Sequence, residues 1–326
     1  MNIQHLPKEF KIKEGAEEFP LMVVLSMSYV CNSKCPGCPY TNSNIRDDYG
    51  DALFMPVDLF KKIADECGKY GAFLRFSGGG EPLLHPRVIK LIEYAKIKGA
   101  KVGLITNGSL MTPDKADKIL ACDTDMIEFS VDAADAETYN IVRKGLNFDK
   151  LVKNIKYTVN RRNELKSSSK IIVSVINQKA IQGKIKKVIK FWEAMVDGVQ
   201  VRKYLTWGIN KKEESADSSP YLPPEDRIPC PWLFERLNID SRGDVTVCGE
   251  DIAFNEKFAN VNDKLIKDIW HSKTMNYFRK KHLDRKGDEI MLCKKCPDWQ
   301  YRSWAHNYWK VEKEAENKRA KALSKK

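Results

Sequence analysis

Three cysteines lie within eight residues near the start of the chain, at Cys31, Cys35 and Cys38 in the segment YVCNSKCPGCPY. A disulfide uses two thiols and a closed zinc site uses four ligands, so a set of three matches neither. Three close thiolates can instead bind one cubane iron–sulfur cluster, whose iron sites favour sulfur ligands. One iron would keep an open coordination position, which is typical of catalytic metal sites. A zinc knuckle with a distant fourth ligand is the alternative.

A second set of cysteines lies in the last third of the chain. It follows the pattern C-x12-G-x4-C and then C-x2-C, with the thiols at Cys230, Cys248, Cys293 and Cys296. Four thiolates form a closed set, which fits either an all-thiolate zinc site or a fully ligated iron–sulfur cluster. Spacing alone favours zinc. The isolated Cys67 and Cys122 are interpreted as packing residues.

Polar or glycine-rich sequences follow three of the predicted strands. They are SGGGE at 77–81, TNG at 106–108, and Ser130 with Arg143 one helix later. Glycines at a strand end let a ligand approach the backbone, and a guanidinium can pair with a carboxylate. Each of these sequences also suits a plain turn or a helix cap.

Six short apolar segments alternate with helical periodicity over the first two thirds of the chain. The predicted strands are 21–27, 72–76, 101–105, 126–131, 171–176 and 199–205. Thr112 and Asp149 are the predicted N-caps of two of the helices. This alternation predicts an α/β fold of parallel strands with right-handed crossovers. In such folds ligands collect at the carboxyl ends of the strands, where the polar sequences lie.

The pattern changes after residue 205. A polar, proline-rich stretch predicts a linker. Beyond it we expect a hairpin with strands 237–239 and 245–247, and two short helices at 263–270 and 273–283. The mixed Lys and Glu of the last residues predict a solvated terminal helix.

Composition limits the class of protein. The chain has 326 residues, 42% hydrophobic and 31% charged, which is ordinary for a globular protein. It has no apolar run of the roughly 18 residues that a membrane span needs and no signal-peptide pattern, so we expect a cytoplasmic location. The net charge of +12 raises the alternative of a zinc-stabilised nucleic-acid-binding protein. Because the basic residues are dispersed, a role of the charge in solubility, or an anionic small substrate, is favoured over nucleic acid.

The N-terminal motifs together resemble the radical S-adenosylmethionine (SAM) superfamily. The resemblance implies that Cys31, Cys35 and Cys38 bind a [4Fe-4S] cluster whose open iron is chelated by SAM. It assigns the SAM amino group to Gly79, Gly80 and Glu81, and further SAM contacts to Asn107, Ser130 and Arg143. The chain departs from the family at Gly37, where an aromatic residue often contacts adenine, and it lacks the GxIxGxxE-type motif on the fifth strand.

The C-terminal cysteines are similar to those of the SPASM and shorter twitch domains appended to such enzymes. The resemblance favours an auxiliary [4Fe-4S] cluster over zinc, and a twitch-type domain with one cluster. It implies a partial (β/α)6 TIM-like barrel core with a small C-terminal α+β twitch (SPASM-like) domain. The predicted divisions are an N-terminal extension (1–20), the core (21–210), a linker (211–228), the auxiliary domain (229–300) and an aromatic, then basic, tail (301–326).

The resemblance also implies a reaction. The reduced cluster sends an electron into SAM, and the resulting 5′-deoxyadenosyl radical abstracts a hydrogen atom from a substrate. A closed auxiliary cluster suits electron acceptance, which predicts a dehydrogenase-like oxidoreductase served by an electron donor such as flavodoxin or ferredoxin.

We expect a small-molecule substrate: a sugar, an aminocyclitol or a nucleotide-linked metabolite. The first strand begins by about residue 21, which leaves no room for an N-terminal peptide-recognition domain. Arg202 on the sixth strand is a candidate substrate contact or a barrel-wall ion pair. The alternative is a maturase that oxidises, cross-links or epimerises a peptide or protein.

Overall fold

One sheet organises the chain. The computed structural model describes residues 14–41, 43–205, 215–216, 226–294, 296, 298–301 and 308–324. In these ranges nine strands form a sheet of order β6-β5-β4-β3-β2-β1-β7-β8-β9. The strands are β1 (Met22–Ser26), β2 (Phe73–Ser77), β3 (Lys101–Thr106), β4 (Met126–Ser130), β5 (Lys170–Asn177), β6 (Gly198–Lys203), β7 (Arg236–Ile239), β8 (Asp244–Thr246) and β9 (Ala259–Asn260).

Strands β1 to β6 all run parallel to their neighbours. Each predicted strand is present, with bounds that differ by at most two residues. Because β6 and β9 are the end strands of the sheet, the barrel is open, and the predicted partial (β/α)6 architecture is confirmed. Parallel pairing brings the carboxyl ends of these strands to one edge, where the polar sequences predicted to bind ligand follow them.

The C-terminal hairpin continues the same sheet. β7 pairs in parallel with β1, with Val24 opposite Asn238, and it pairs antiparallel with β8. The sequence predicts the hairpin but not its neighbour, since β1 and β7 lie far apart in the chain. One sheet therefore runs through both the core and the auxiliary region, and the domain boundaries stay a prediction.

Helices cover the outer face of the parallel strands. The described helices are α1 (Ile45–Asp48), α2 (Val57–Lys69), α3 (Val88–Ile97), α4 (Pro113–Ala121), α5 (Ala136–Val142), α6 (Phe148–Glu164), α7 (Ile185–Glu193), α8 (Trp232–Glu235), α9 (Ile266–Trp270), α10 (Lys273–Leu283), α11 (Met291–Lys294) and α12 (Tyr308–Ser324). Apart from α1 and α12, whose buried residues lie in two smaller clusters, their apolar faces join one large core with the sheet. Cys67 is fully buried in that core, whereas Cys122 is partly buried against it.

The two predicted helix caps have different outcomes. Thr112 caps α4 and its hydroxyl accepts a hydrogen bond from the amide of Lys115. The N-cap of α6 is Asn147 rather than Asp149, because the Asn147 side chain accepts from the amide of Lys150. Asp149 lies in the first turn, where its negative charge interacts favourably with the helix dipole.

The C-terminal helix α12 packs against β5 and β6 instead of lying in solvent. Ala315 is fully buried in a cluster with Met22, Phe73, Met126 and Ile172. The guanidinium of Arg319, on the same helix, donates to the Ser167 carbonyl. The prediction of a solvated helix is wrong because charge-rich composition hides the short apolar row that packs on the sheet.

Most of the predicted linker, including 211–214 and 217–225, lies outside the described residues. Among the described residues, no helix has the length and apolar composition that crossing a membrane requires.

Candidate active site

A cavity of about 630 Å³ opens at the carboxyl ends of the parallel strands. The predicted cluster and SAM contacts of the N-terminal region all line it: Cys31, Cys35, Cys38, Gly79, Gly80, Glu81, Asn107, Ser130 and Arg143. Arg202 lines it as well. The fold thus brings together residues from the ends of four strands, although their roles in binding stay predictions.

The auxiliary region forms part of the same cavity. Asp251, Ile252 and Phe254 line it from the segment after β8, and Asn238 lines it from β7. Asn238 is buried, and its amide nitrogen has no hydrogen-bond partner among the described residues. The cavity therefore lies between the core and the region that carries the second cysteine set.

The cysteine loop is anchored at two points. The side-chain amide of Asn107 donates to Asn32 Oδ1 (2.9 Å), and the side-chain amide of Asn32 donates in turn to the Ser109 hydroxyl (2.8 Å). On the other side, the carbonyl of Lys144 accepts both the Ser33 hydroxyl and the Lys34 amide. Asn107 thus acts here as a link between the TNG turn and the cysteine loop.

The glycine run packs against the beginning of the cysteine loop. A Cβ atom on Gly80 would lie 2.1 Å from the Val30 carbonyl oxygen, and one on Gly79 would lie 2.6 Å from the Tyr29 ring. The amide of Glu81 also donates to the Val30 carbonyl (2.8 Å). The protein's own chain thus approaches the glycine run closely just before Cys31, and the predicted approach of a ligand to Gly79 and Gly80 stays a prediction.

Glu81 is buried and its carboxylate accepts three hydrogen bonds. Thr106 Oγ1 and the backbone amide of Leu83 donate to Oε1, and the backbone amide of Asn107 donates to Oε2. Burial raises the pKa of this carboxyl above its ordinary value, although the three donors lower it in part. In this geometry Glu81 ties the glycine turn to the end of β3.

Arg143 pairs with Asp132. Arg143 Nη2 lies 2.6 Å from Asp132 Oδ2, and Nη1 lies 3.9 Å from Cys35 Sγ. The buried Nε of Arg143 has no hydrogen-bond partner among the described residues. A charged donor beside the cysteine loop therefore remains available to an acceptor in the cavity.

The position that departs from the family, Gly37, lies against an aromatic ring. A Cβ on Gly37 would lie 3.4 Å from the ring of Tyr204, a buried residue that follows β6 and lines the cavity. Tyr40 lines the cavity as well. Aromatic surface is thus present near the cysteine loop, but it comes from other parts of the chain.

Arg202 is held by an ion pair. Its Nη2 lies 2.5 Å from Glu128 Oε1, and Arg75 Nη2 lies 3.1 Å from Glu128 Oε2. Burial raises the pKa of Glu128, but the two arginines outweigh it and hold that pKa below its ordinary value. The geometry agrees with the barrel-wall alternative, and substrate contact by Arg202 stays a prediction.

His282 contacts two cysteines of the second set. The Cys230 amide donates to His282 Nδ1 (3.2 Å), and His282 Nε2 lies 3.4 Å from Cys293 Sγ. Burial, with a smaller contribution from Arg227, lowers the pKa of His282 to about 4. Arg227 donates to the Cys293 carbonyl (2.9 Å), and its guanidinium lies over the Trp299 ring.

The donor sets fit iron–sulfur clusters. Among the described residues, no three His, Cys, Asp or Glu side chains converge in the way that a single metal ion requires. A cubane differs from such a site because each thiolate binds a separate iron. Near each cysteine set an arginine, Arg143 or Arg227, keeps a buried Nε without a partner among the described residues, and a bound anionic group would satisfy it.

Sequence reasoning missed several residues of these sites. Glu128 and Asn238 lie inside ordinary strand patterns, and His282 lies on a helix with no motif around it. For Glu128 a signal existed, since a charged residue within a predicted buried strand is rare unless it is paired. For His282 and Asn238 the local sequence carries none.

Two sequence families match the chain. Residues 25–175 match the radical SAM superfamily, and residues 230–297 match the SPASM iron–sulfur cluster-binding domain. Curated relatives with 28–31% identity match over segments that span 34–44% of their own lengths. One of them is the mycofactocin maturase MftC of Mycolicibacterium smegmatis, 29% identical over 56% of this chain and 44% of that protein.

Two similarities extend over most of the chain. The PqqA peptide cyclase of Xanthomonas campestris is 24% identical over 86% of this chain and 81% of its own length. The structure of Streptococcus suis SuiB bound to precursor peptide SuiA superposes with a TM-score of 0.65 at 18% identity, over 82% of this chain and 67% of SuiB. That identity level shows a shared fold alone. With the two family matches and the cavity geometry, these observations lead to one conclusion: the chain is a member of the radical SAM superfamily and carries a C-terminal SPASM iron–sulfur cluster-binding domain.

Proposed function

We propose that this protein is a radical SAM maturase that modifies a peptide or protein substrate. The observation that carries the proposal is the similarity to a peptide cyclase over 86% of the chain. The similarity of fold to a protein solved with its precursor peptide supports it. Peptide modification, the alternative in the sequence interpretation, thus has more support than a small-molecule substrate.

The size of the cavity is compatible with this proposal. Pockets of about 300–1,000 Å³ hold one drug-sized ligand, so a cavity of about 630 Å³ that also receives SAM has room for little more than one side chain. A peptide would insert the residue to be modified and leave the rest of its backbone at the mouth. The walls of that inner space carry Glu128, Arg202 and Asn238, which we propose to face the inserted residue.

Residues of the core would hold the cofactors. Cys31, Cys35 and Cys38 would bind the first [4Fe-4S] cluster, and Arg143 would contact the SAM carboxylate through its unpartnered Nε. Together the bound cluster and SAM supply an electron and an organic radical that removes a hydrogen atom from the substrate. The hydrogen bond from Asn107 to Asn32, and those from Ser33 and Lys34 to the Lys144 carbonyl, hold the cysteine loop in place at the mouth of the cavity.

The C-terminal cysteines would hold an auxiliary cluster. With four thiolates it has no open position, which suits electron acceptance rather than substrate binding. We therefore propose an oxidative modification, with the surplus electron leaving through Cys230, Cys248, Cys293 and Cys296. A flavodoxin or ferredoxin is the proposed source of the initiating electron.

Deuterium transfer tests the substrate class. The anaerobic, reduced holoprotein is incubated with SAM and a pool of perdeuterated random peptides, or with perdeuterated sugars and aminocyclitols. We expect deuterium in 5′-deoxyadenosine from the peptide pool, together with peptide products lighter by about three or four mass units, because one deuterium atom leaves to the cofactor and a second hydrogen leaves as a proton or a deuteron. The Cys31→Ala/Cys35→Ala/Cys38→Ala variant is the control and should give neither signal. Deuterium transfer from the sugars or aminocyclitols alone would replace the maturase by a small-molecule enzyme.

A further inference from the structure

His282 lies between two of the C-terminal cysteines. It is in α10, at 3% exposure, and it contacts the backbone of Cys230 on one side and the thiol of Cys293 on the other. These two cysteines are 63 positions apart in sequence, so the histidine is a bridge that only the fold creates. A buried polar side chain in such a place needs a partner for each ring nitrogen.

The hydrogen bonds fix the position of the ring proton. A backbone amide can only donate, so the Cys230 amide requires an unprotonated Nδ1 on His282. The proton of the neutral ring is then on Nε2, the atom 3.4 Å from Cys293 Sγ. When Cys293 binds metal as a thiolate it has no proton to donate, so the hydrogen bond runs from Nε2–H to the sulfur.

A second buried donor lies at the same cysteine. Arg227 is 9% exposed, donates to the Cys293 carbonyl through Nη1, and keeps its Nε without a partner among the described residues. Its guanidinium lies close to His282, since a Cβ on Gly287 would be 3.3 Å from Arg227 Nε and 3.5 Å from His282 Cε1. The protein thus places an N–H donor and a positive charge together beside one thiol.

We propose that His282 is a positioning residue that raises the reduction potential of the auxiliary cluster through an N–H···S hydrogen bond to Cys293, with Arg227 acting in the same direction. Reduction makes the cluster more negative. Hydrogen bonds to its sulfur ligands and nearby positive charge therefore stabilise the reduced form more than the oxidised form. The inference rests on the proposed function, since it requires the auxiliary cluster, and it explains how that cluster would accept an electron from a substrate.

Two substitutions separate the hydrogen bonds of His282. In His282→Asn, the side-chain oxygen can still accept the Cys230 amide, but no N–H reaches Cys293. In His282→Gln, the longer amide places an N–H near the position of Nε2. Both are made in the full-length chain with Cys31, Cys35 and Cys38 replaced by alanine, so that only the auxiliary cluster contributes to the electron paramagnetic resonance signal.

The midpoint potential is measured by redox titration of that signal. For His282→Asn we expect the reduction equilibrium to shift about tenfold toward the oxidised form, which is about 59 mV more negative for one electron. His282→Gln should retain most of the parent potential. His85→Asn is the matched control. His85 is also buried, accepts the Arg87 amide at Nδ1 and has Nε2 2.9 Å from the Met55 carbonyl, but it contacts no thiol of the C-terminal set in the described residues. Its substitution should leave the potential unchanged.

The outcomes distinguish the inference from the proposed function. Parent protein without iron, or with zinc, would remove the auxiliary cluster and with it the basis of the inference. Full iron content with an unchanged potential in His282→Asn would overturn the inference and leave the proposed function intact.

If His282→Asn loses its cluster, the parent Cys31→Ala/Cys35→Ala/Cys38→Ala protein with His282 intact decides. Electron–nuclear double resonance should then detect an exchangeable proton and a histidine nitrogen coupled to the auxiliary cluster. Absence of both couplings would contradict the proposal.

Discussion

The two cysteine sets are built in different ways. The N-terminal set lies in one short loop after β1, and the ends of β2 and β3 and the turn after α5 hold that loop by hydrogen bonds. The C-terminal set is dispersed over a hairpin end and short helices, and His282 joins two of its members. Both sets have an arginine nearby, but only the N-terminal set lines the large cavity with all its thiols.

This difference in construction matches the two proposed roles, generation of a radical at the N-terminal set and electron transfer at the C-terminal set. A site that binds substrate and cofactor needs space, and the carboxyl edge of a parallel sheet provides it. A site that only accepts electrons can be closed by thiolates and surrounded by donors that adjust its potential. Cysteine thiolates thus serve two proposed roles in this chain because the fold around each set differs.

Removing each set in turn should give the largest contrast. Cys31→Ala/Cys35→Ala/Cys38→Ala should lose about four irons per chain and reduce SAM cleavage to background. Cys293→Ala/Cys296→Ala should also lose about four irons but still cleave SAM, while the modified product disappears. Iron and sulfide analysis with assays of 5′-deoxyadenosine and product measures both. Full iron in the first variant would refute a cluster on the N-terminal cysteines.

Substitution of Arg143 should weaken the N-terminal site alone. Arg143→Ala leaves Asp132 buried without its charge partner, and breaking such a pair costs about 3–5 kcal/mol. Loss of the guanidinium should also weaken SAM binding by at least about tenfold, the effect of one lost charge-assisted hydrogen bond. Anaerobic urea unfolding and calorimetric titration with SAM measure these effects.

The exposed pair of Arg161 and Asp117 is the matched control. Arg161→Ala should leave the free energy of unfolding nearly unchanged, because water already screens that pair. Equal losses in the two variants would contradict the assignment of Arg143.

A methyl group at Gly80 should displace the cysteine loop without touching the C-terminal set. Its Cβ would lie 2.1 Å from the Val30 carbonyl, so the loop must move at a cost of about 1–3 kcal/mol. We expect Gly80→Ala to lower the melting temperature and to lose iron from the N-terminal set selectively. In Gly198→Ala the nearest contact of the new Cβ is an ordinary 3.4 Å, so this variant should keep the parent melting temperature and iron content. Normal iron loading in Gly80→Ala would show that the loop tolerates the shift.

The last expected effect is on the pH dependence of stability, and it lies where the two regions meet. Tyr49, near the cysteine loop, donates to Asp240 Oδ2 in the turn between β7 and β8 (2.5 Å). The pKa of Asp240 lies above its ordinary value, because burial raises it by more than the hydrogen bond from the Tyr49 hydroxyl lowers it. The folded state therefore binds a proton more tightly than the unfolded state, and stability falls as pH rises from the ordinary carboxyl range through the raised pKa.

Tyr49→Phe should raise that pKa further and cost about 1.5–3 kcal/mol at pH 7, with a smaller loss once low pH protonates Asp240. Urea unfolding at pH 5 and pH 7 checks the sign. Tyr157→Phe, which loses a partly buried hydrogen bond to Asp117 away from the contact between the two regions, is the control and should show little change at either pH. A loss in Tyr49→Phe that grows toward low pH would contradict this account.

The sequence by itself determined the chemistry and the order of elements. The spacing of Cys31, Cys35 and Cys38 is a local property, and so is the period of apolar residues that defines β1 to β6 and the longer core helices. Hydrogen bonding within a helix and alternation along a strand act over a few residues, so short windows of sequence predict them. The placement of polar residues at strand ends was predictable for the same reason.

Only the tertiary structure decided which distant residues meet. It placed β7 beside β1, packed α12 on the sheet, brought Tyr204 against Gly37 and set His282 between Cys230 and Cys293. Each of these contacts depends on how many elements pack at once, because a free strand edge or an apolar row accepts several partners in principle. Burial of the shared core selects one of them, and no short segment of this sequence contains that selection.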